Sequence, residues 1–422
     1  MKVTEQARHL AASPSAAGAR TPRPPLAGVR VVDLSTSYAG PTATMYLADL
    51  GADVIKVERP GTGDDARSWG PPFVGRVSAW FASANRGKRS LALDLRTDGG
   101  RCVLESLLAV ADVVVENINP RKLVALGLAP EQVRARHPHL VFCALSGFGL
   151  DGPDAGLPGY DLVAQARSGL MSVTGEAGGA PQRVSTALSD VVAGMSAALA
   201  VCAALVRQQQ TGEGDLVDVS LLDADLALMA PRLASFLAGE PEPQPSGGTD
   251  SVLAVYQVLP TADDSIVLAI GNDVLWRRFC EVAGLAHLGD DPRLAVNAGR
   301  RAHRDEVIAC IRERFATAGA ASWLARLAEA GVPAAPVQRL AAVVADPQVR
   351  ARGALLEVPV DGHVTRAVRS PWRLGSQPDL PERGAPLLGE DSVAVLVEHG
   401  FDAAAVEELL ASGAVQALRE VS

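Results

Sequence analysis

The sequence has little of what marks secreted, metal-binding or nucleic-acid-binding proteins. Its five cysteines stand far apart with no C-x-x-C pair, an arrangement typical of reduced thiols rather than of a disulfide framework. Its seven histidines include no H-E-x-x-H arrangement, and we expect no metal site. The formal net charge of −9, without a long basic run, argues against nucleic acid as the main partner.

Long apolar runs are also scarce. The longest, over residues 191–206, is rich in Ala and Gly and favours a buried helix over a membrane span. We therefore expect a cytoplasmic protein with no membrane partner. Residues 1–25 lack an apolar core of signal-peptide length and are expected to form a disordered extension. With 48% hydrophobic residues, the remaining chain can bury a large core.

An alternation of strand and helix patterns begins at Gly28. A β-branched run over 29–34, turn residues over 35–41, a helical pattern ending at Gly51 and a second strand over 53–57 predict a βαβ unit. Such crossovers imply parallel strands, and parallel sheets bind ligands at the carboxyl ends of their strands. Further apolar strand patterns extend the alternation. The sequence therefore predicts a large α/β domain whose first loop is a candidate binding site.

The sequence of that loop argues against a dinucleotide as its ligand. Gly40 is its only glycine, and the G-x-G-x-x-G pattern is missing. Cations near the predicted strand ends instead suit a phosphate-bearing ligand, although each is also explained as a solvated surface charge. These cations are Lys56, Arg59, Lys88, Arg89 and Arg96.

Prolines and glycines cluster after residue 240 and predict a domain boundary. We predict a large domain over 26–222, a linker with a glycine loop over 223–250, a small α+β domain over 251–340 and a return to the large domain over 341–422. The small domain would begin with a β-hairpin and continue with three helices.

Asp190 has two interpretations on the residues alone. It directly precedes the long apolar helix in ALSDVVAGM, so it is a natural N-cap. The free N–H groups and the positive end of a helix also stabilise an ionised carboxylate. In the second interpretation, Asp190 stays ionised at neutral pH and is available as a nucleophile.

Several further segments follow one another in order between Leu26 and Asp391. They are GVRVVDLSTSYAGP, LADLGADVIKVERPGTGDDAR, NRGKRSLALDL, ADVVVENINP, SGFGLDGP, PGYDLVAQARSGLMSVTGE, ALSDVVAGM, TGEGDLVDVSLLD, AGVPAAPV and APLLGED. Together they resemble the class III CoA-transferases of the CaiB/BaiF type, which include formyl-CoA transferases. The resemblance implies a Rossmann-like large domain and an interlocked homodimer.

The same resemblance implies a chemistry. An enzyme of this type moves CoA from an acyl-CoA to another carboxylic acid through an aspartyl-CoA thioester, and the implied nucleophile is Asp190. No tightly bound cofactor is expected, because coenzyme A enters as part of the substrate.

The resemblance also assigns binding residues by position. The substrate contacts are Tyr38, Tyr160, Gly247 and Gly248, the glycines belonging to a loop that covers the site. The CoA contacts are Ala39, Arg59, Leu93, Arg96, Asn117, Ile118 and Asn119. Ala125 stands where the family often has an arginine, so Arg121 or Lys122 is a candidate replacement.

Two alternatives stay open at this point. A 2-methylacyl-CoA racemase of the same fold would pair the aspartate with a histidine, where this chain has Tyr160, a poor general base near neutral pH. A catalytically inactive CoA-ester-binding protein would keep Asp190 as a helix cap alone. The residues do not name the acyl-CoA donor or the acceptor acid.

Overall fold

The structure is a computed structural model, and it describes residues 23–375, 380 and 382–418. The extension predicted over 1–25 lies, up to residue 22, outside the described residues. The strands are β1 (Arg30–Asp33), β2 (Asp53–Glu58), β3 (Phe73–Val74), β4 (Val77–Ser78), β5 (Arg89–Leu93), β6 (Val113–Glu116), β7 (Val141–Ser146), β8 (Leu216–Ser220), β9 (Tyr256–Pro260), β10 (Ser265–Ala269), β11 (Ala334–Pro336), β12 (Leu355–Val360), β13 (His363–Val368) and β14 (Val415–Gln416).

Helices alternate with these strands in the first half of the chain and dominate the second half. They are α1 (Ala39–Asp49), α2 (Ala79–Asn85), α3 (Asp98–Leu108), α4 (Pro120–Ala125), α5 (Pro130–Arg136), α6 (Asp161–Arg167), α7 (Leu170–Val173), α8 (Leu188–Thr211), α9 (Leu221–Leu237), α10 (Asp273–Ala283), α11 (Ala286–Gly289), α12 (Asn297–Ala302), α13 (Arg304–Phe315), α14 (Ala320–Glu329), α15 (Leu340–Ala345), α16 (Pro347–Ala351), α17 (Ser392–Glu398) and α18 (Ala403–Ala411).

The central sheet has seven strands in the order β14-β5-β2-β1-β6-β7-β8. β1 pairs in parallel with β2 and β6, and β5 and β7 continue the parallel pairing outward. Val113, Val114 and Val115 are all buried, as expected for a strand covered on both faces. The predicted α/β class with a parallel-rich sheet is confirmed.

The direction of strand addition reverses at β1, because β2 lies on one side of it and β6 on the other. At such a switch point the loops after the two central strands leave a crevice at the carboxyl edge of the sheet. Here those loops begin at Leu34 and at Asn117. The fold therefore places two segments with predicted site residues at one edge.

The described residues divide into two compact units. The first comprises residues 23–144, 197–217 and 357–418, and the second comprises 145–196 and 218–356. β14 closes the sheet of the first unit by pairing antiparallel with β5.

The second unit contains a three-stranded antiparallel sheet in the order β11-β10-β9. β9 and β10 form a hairpin at the predicted place, and α10, α13 and α14 supply the three expected helices. Their aromatic side chains form the core: the rings of Phe315 and Trp323 lie 4.8 Å apart, and Trp276 and Phe279 are fully buried.

The linker predicted over 223–250 is helical in its first half, where α9 runs from Leu221 to Leu237. The proline cluster beyond it suggested a loop, but the Leu- and Ala-rich run has strong helix propensity. Ser220 begins the helix by accepting the N–H of Asp223 at 2.9 Å. Asp225 therefore lies on a helix of the second unit.

Candidate active site

Asp190 lies in the first turn of α8 and is not its N-cap. The helix begins two residues earlier, at Leu188, so the N-cap interpretation is wrong. Asp161 instead supplies the acceptor, because its Oδ1 receives the N–H of Ser189 at 2.8 Å. The carboxylate of Asp190 makes no hydrogen bond or ion pair with any residue that the structure describes. It is therefore free of the structural role that its position suggested.

Two other aspartates act on Asp190. Asp225 of α9 is fully buried, and its Oδ2 accepts the hydroxyl of Ser189 at 2.8 Å. Burial, and then the charges of Asp161 and Asp225, raise the pKa of Asp190 to about 7. The expectation that the helix end keeps Asp190 fully ionised at neutral pH is wrong, because burial and like charges outweigh the helix terminus.

This environment suits a nucleophile that works near neutral pH. A carboxyl group with a pKa close to the ambient pH is about half ionised, and its ionised form is more basic than an ordinary aspartate. Asp190 can therefore attack a carbonyl carbon in its ionised form and donate a proton in its protonated form.

Tyr160 lies immediately before α6 and is 61% exposed. It adjoins Asp161, which hydrogen-bonds the residue before Asp190, so Tyr160 and Asp190 flank the same interaction. The segment is held by a close backbone approach, since a Cβ on Gly159 would lie 2.4 Å from the Cα of Gly147. Both positions require glycine.

The glycine loop lies against the segment that leads into α8. The N–H of Gly247 donates to the carbonyl of Gly175 at 3.0 Å, and Ser246 Oγ donates to the carbonyl of Thr249 at 2.5 Å. Gly247 and Gly248 have φ values of +62° and +82°, which side-chain-bearing residues rarely adopt. The loop is therefore a turn with a defined anchor on the second unit.

In the first unit, hydrogen bonds join the two loops at the switch point. The N–H of Thr36 donates to Oδ1 of Asn117 at 2.9 Å, and Nδ2 of Asn117 donates to the carbonyl of Thr36 at 2.8 Å. Ser37 has φ +69° and donates its N–H to Asp64 at 2.8 Å. These contacts fix the backbone just before Tyr38, whose hydroxyl lies 3.0 Å from Ser83 Oγ.

Three of the five cations expected near phosphate are committed elsewhere. Lys56 and Lys88 are fully buried, with Lys56 2.9 Å from Asp64 and Lys88 3.0 Å from Asp33. Arg89 begins β5 and pairs with two acids at the amino edge of the sheet, away from the carboxyl ends. For Lys56 and Lys88 both interpretations, a phosphate contact and a solvated surface charge, are wrong, because both ammonium groups are buried against carboxylates.

Arg59 and Arg96 remain available. Arg59 is exposed, donates to the carbonyl of Gly63 at 3.0 Å and pairs with Asp65. Arg96 is 85% exposed and pairs with Asp94 at 2.7 Å. Both guanidinium groups can exchange a surface carboxylate for a phosphate at little cost.

The remaining predicted CoA contacts differ in exposure. Leu93 and Ala39 are buried, so a contact with CoA at these positions would be made by the backbone. Ile118 and Asn119 are partly exposed in the loop after β6. Asn119 also begins α4, because its Oδ1 accepts the N–H of Arg121 at 3.0 Å.

Glu116, the last residue of β6, was not among the site residues predicted from the sequence. It is 2% exposed, and its Oε2 accepts the N–H of Ile118 at 2.7 Å. Burial raises the pKa of Glu116 to about 8, so the group is largely neutral at pH 7. It therefore adds little negative charge beside a loop assigned to a polyanion. An acidic residue that ends an otherwise apolar strand was the available signal.

Comparisons with known proteins define the class. A model of CoA-transferase family III matches residues 26–392, and the chain therefore belongs to this family. It is 40% identical to a succinate–glutarate CoA-transferase of Agrobacterium fabrum, over 89% of this chain and 96% of that protein. It is 39% identical to the human succinyl-CoA:glutarate CoA-transferase, over 93% and 90% of the two chains.

A solved structure agrees with the fold. The crystal structure of a CaiB/BaiF family protein from Brucella suis superposes with a TM-score of 0.78 at 38% identity, covering 89% of this chain and 99% of that one. The protein is a CoA-transferase that moves CoA between carboxylic acids. Its relatives' names favour this activity over the racemase and the inactive binding protein.

Proposed function

We propose that Asp190 carries CoA as a covalent aspartyl thioester during transfer. The observation that supports this is the placement of Asp190: a carboxylate on the first turn of a helix, without a described partner and with a pKa near 7. A structural aspartate would be paired, since an unpaired buried charge destabilises the fold.

The first half of the reaction needs only the donor. An Asp190 oxygen attacks the thioester carbonyl of the acyl-CoA, the carbon–sulfur bond breaks, and a mixed anhydride and CoA thiolate form. The thiolate then attacks Cγ of Asp190. The donor acid leaves with the former Asp190 oxygen, and the aspartyl-CoA thioester remains.

The second half repeats these steps with the acceptor. Its carboxylate attacks Cγ of Asp190 and displaces CoA thiolate, which then attacks the acyl carbon of the acceptor. The new acyl-CoA forms, and Asp190 regains a carboxylate whose new oxygen comes from the acceptor. Neither half consumes water or an oxidant, so exclusion of water protects both intermediates. Closure of the glycine loop at Gly247 and Gly248 is the proposed means.

We assign the CoA moiety to the first unit. Its parallel strands follow the order β5-β2-β1-β6-β7, which corresponds to the Rossmann-like order, and the switch-point loops carry Tyr38 and Asn117. Arg59 and Arg96 supply exposed positive charge for phosphates. Arg121 and Lys122 are exposed on α4 and are candidates for further phosphate contacts.

Short dicarboxylic acids are the proposed acids. The relatives from Agrobacterium fabrum and human are named for succinate or succinyl-CoA and glutarate. The second carboxylate of such an acid needs a cation, and Arg183 is exposed with no ion pair among the described residues. Its neighbour Val184 donates an N–H to Gln165, which in turn donates to Asp161. The backbone next to Arg183 is thus joined to the hydrogen bonds around Asp190.

A cytoplasmic homodimer is the proposed assembly. α8 is long and apolar enough to cross a membrane by length and composition, but Ala193, Ala197 and Val201 on one face are buried. Leu199 of the same helix is 74% exposed, and Val206 lies on the same exposed side. A second copy of the chain would cover such apolar side chains.

Intact-protein mass spectrometry tests the proposed intermediate. Incubation of the wild type with succinyl-CoA or glutaryl-CoA should add one CoA, and peptide mapping should place it on Asp190. Asp190→Asn should acquire none, since an amide cannot form the anhydride. Asp223→Asn, a change to an exposed acid on α9, is the control and should acquire CoA normally. A CoA adduct on Asp190→Asn would overturn the proposal.

A further inference from the structure

We infer that Asp225 is a positioning residue that fixes the turn bearing Asp190 and that its charge moves the pH range in which Asp190 attacks upward. The inference rests on the proposed function of Asp190. It concerns a residue whose side chain is fully buried and which sequence analysis did not single out.

The first observation is that two carboxylates hydrogen-bond Ser189, one at its backbone and one at its side chain. Asp161 accepts the backbone N–H of Ser189 at 2.8 Å, and Asp225 accepts its hydroxyl at 2.8 Å. Ser189 is fully buried and immediately precedes Asp190. Fixing both its backbone and its side chain restricts the direction of the next side chain. Such restriction matters because a small misplacement of a reacting atom costs a large factor in rate.

The second observation is an unsatisfied atom. Oδ1 of Asp225 is buried and has no hydrogen-bond partner among the described residues. Only Oδ2 is engaged, by Ser189 and, at 3.5 Å, by Ser168. A carboxylate with a free buried oxygen is destabilising, and a residue kept only for packing would not need it.

The third observation is the absence of compensating charge. The charged groups that act on Asp190 are Asp161 of α6 and Asp225 of α9, and Asp161 also acts on Asp225. None of the described groups that act on either is a cation. The negative charge of Asp225 therefore makes ionisation of Asp190 harder and its ionised form more basic, in the direction of the raised pKa.

Two substitutions separate the effect of the hydrogen bond between Ser189 and Asp225 from the effect of the negative charge of Asp225. Asp225→Asn keeps an oxygen that accepts from Ser189 but removes the charge. Ser189→Ala keeps the charge but removes the hydroxyl. The rate of CoA-adduct formation on each variant, followed by rapid quench and mass spectrometry from pH 5.5 to 9, reports both roles.

In Asp225→Asn the acid limb of the pH–rate profile should move to lower pH by about 0.5 to 1 unit, since one like charge is gone. At pH 6 the variant should then form adduct roughly 3- to 5-fold faster than a variant that kept the wild-type midpoint. Ser189→Ala should lower the plateau rate by about 10-fold through misalignment. Asp223→Asn should reproduce the wild-type profile.

The outcomes are distinct. If Asp225→Asn unfolds at the wild-type temperature and keeps the wild-type acid limb, the inference is wrong and the proposed function stands. If wild type itself forms no adduct, the proposed function fails and the inference fails with it. If Asp225→Asn does not fold, Asp225→Glu decides: it restores the charge and should restore the wild-type limb, and a shifted limb would contradict the role.

Discussion

Two clusters of buried carboxylates, one in each unit of the molecule, differ in their charge partners. In the first unit Asp33 is buried with Lys88 at 3.0 Å and Lys56 at 4.0 Å. Burial alone would raise the pKa of Asp33, but the two lysines lower it well below its usual range. In the second unit none of the described cations acts on Asp190 or Asp225, and burial and like charges raise the pKa of both.

This difference separates structure from chemistry. The paired cluster holds the backbone on both sides of Tyr38, since Lys56 donates to the carbonyl of Ser35 at 2.8 Å and Lys88 to that of Pro41, in the first turn of α1, at 2.9 Å. The unpaired acids hold only the turn at Ser189, through Asp225, and leave Asp190 near its titration point. Strongly perturbed groups without partners are where functional sites are found.

Breaking the paired cluster should have the largest effect on stability. Asp33→Asn leaves two buried lysines with one fewer counter-charge and should lower the free energy of unfolding by about 3–5 kcal/mol. Denaturant unfolding followed by circular dichroism measures it. Asp53→Asn, which removes an exposed partner of Arg89, is the control and should cost less than about 1 kcal/mol. Equal losses in the two variants would contradict the assignment of the cluster to the core.

The unpaired acids should appear in the pH dependence of the reaction. Attack needs ionised Asp190, whose pKa is about 7, so the rate of adduct formation should rise roughly tenfold between pH 6 and pH 8. Single-turnover measurements with excess acyl-CoA give this rate. A profile already flat at pH 5 would show that Asp190 titrates as an ordinary aspartate.

The acceptor side of the site can be tested through Arg183. Arg183→Ala should raise the KM for a dicarboxylic acceptor about tenfold, the loss of one charge-assisted interaction, and should leave the KM for a monocarboxylic acceptor unchanged. Arg167→Ala is a matched control, because Arg167 already pairs with Asp154 at 2.7 Å. A similar rise for both acids would remove Arg183 from the substrate contacts.

The smallest expected effect is a gain in stability. The raised pKa means that Asp190 binds its proton more tightly in the folded than in the unfolded chain. The destabilisation that ionised Asp190 causes therefore grows between pH 4 and pH 7 and reaches its full size above pH 7. Asp190→Asn should therefore raise Tm by about 1–3 °C at pH 8 and have little effect at pH 4. Differential scanning calorimetry at the two pH values decides, and a lower Tm at pH 8 would indicate a structural role.

The fold follows from local sequence where periodicity and burial agree. The β1-α1-β2 unit is predictable because apolar strands and a glycine-terminated helix alternate within a short span. β14 is not, since its two residues pair with β5 across more than 300 positions of the chain. The helix α9 shows the same limit. A linker was predicted there from the prolines after Leu237, although the residues before Leu237 have a helical pattern.

The site divides in the same way. Asp190 and the loop before Tyr38 are identifiable from motifs, whereas Asp225 becomes visible only when α9 brings it to Ser189. The pKa of Asp190 also depends on tertiary neighbours, since the helix terminus alone predicts the opposite direction. Asp161 and Asp225, which raise the pKa of Asp190, lie about 30 positions from it in the sequence, and no local pattern predicts their contact.

Oxygen tracing tests the central claim most directly. Turnover with an acceptor acid labelled with ¹⁸O in its carboxylate should leave one heavy oxygen on the peptide that contains Asp190, because the bridging oxygen of the second anhydride stays with the enzyme. The donor acid released in the first turnover should be unlabelled. If heavy oxygen instead passes to the donor acid in the first turnover, with none on that peptide, the acids exchange CoA directly and Asp190 is not its carrier.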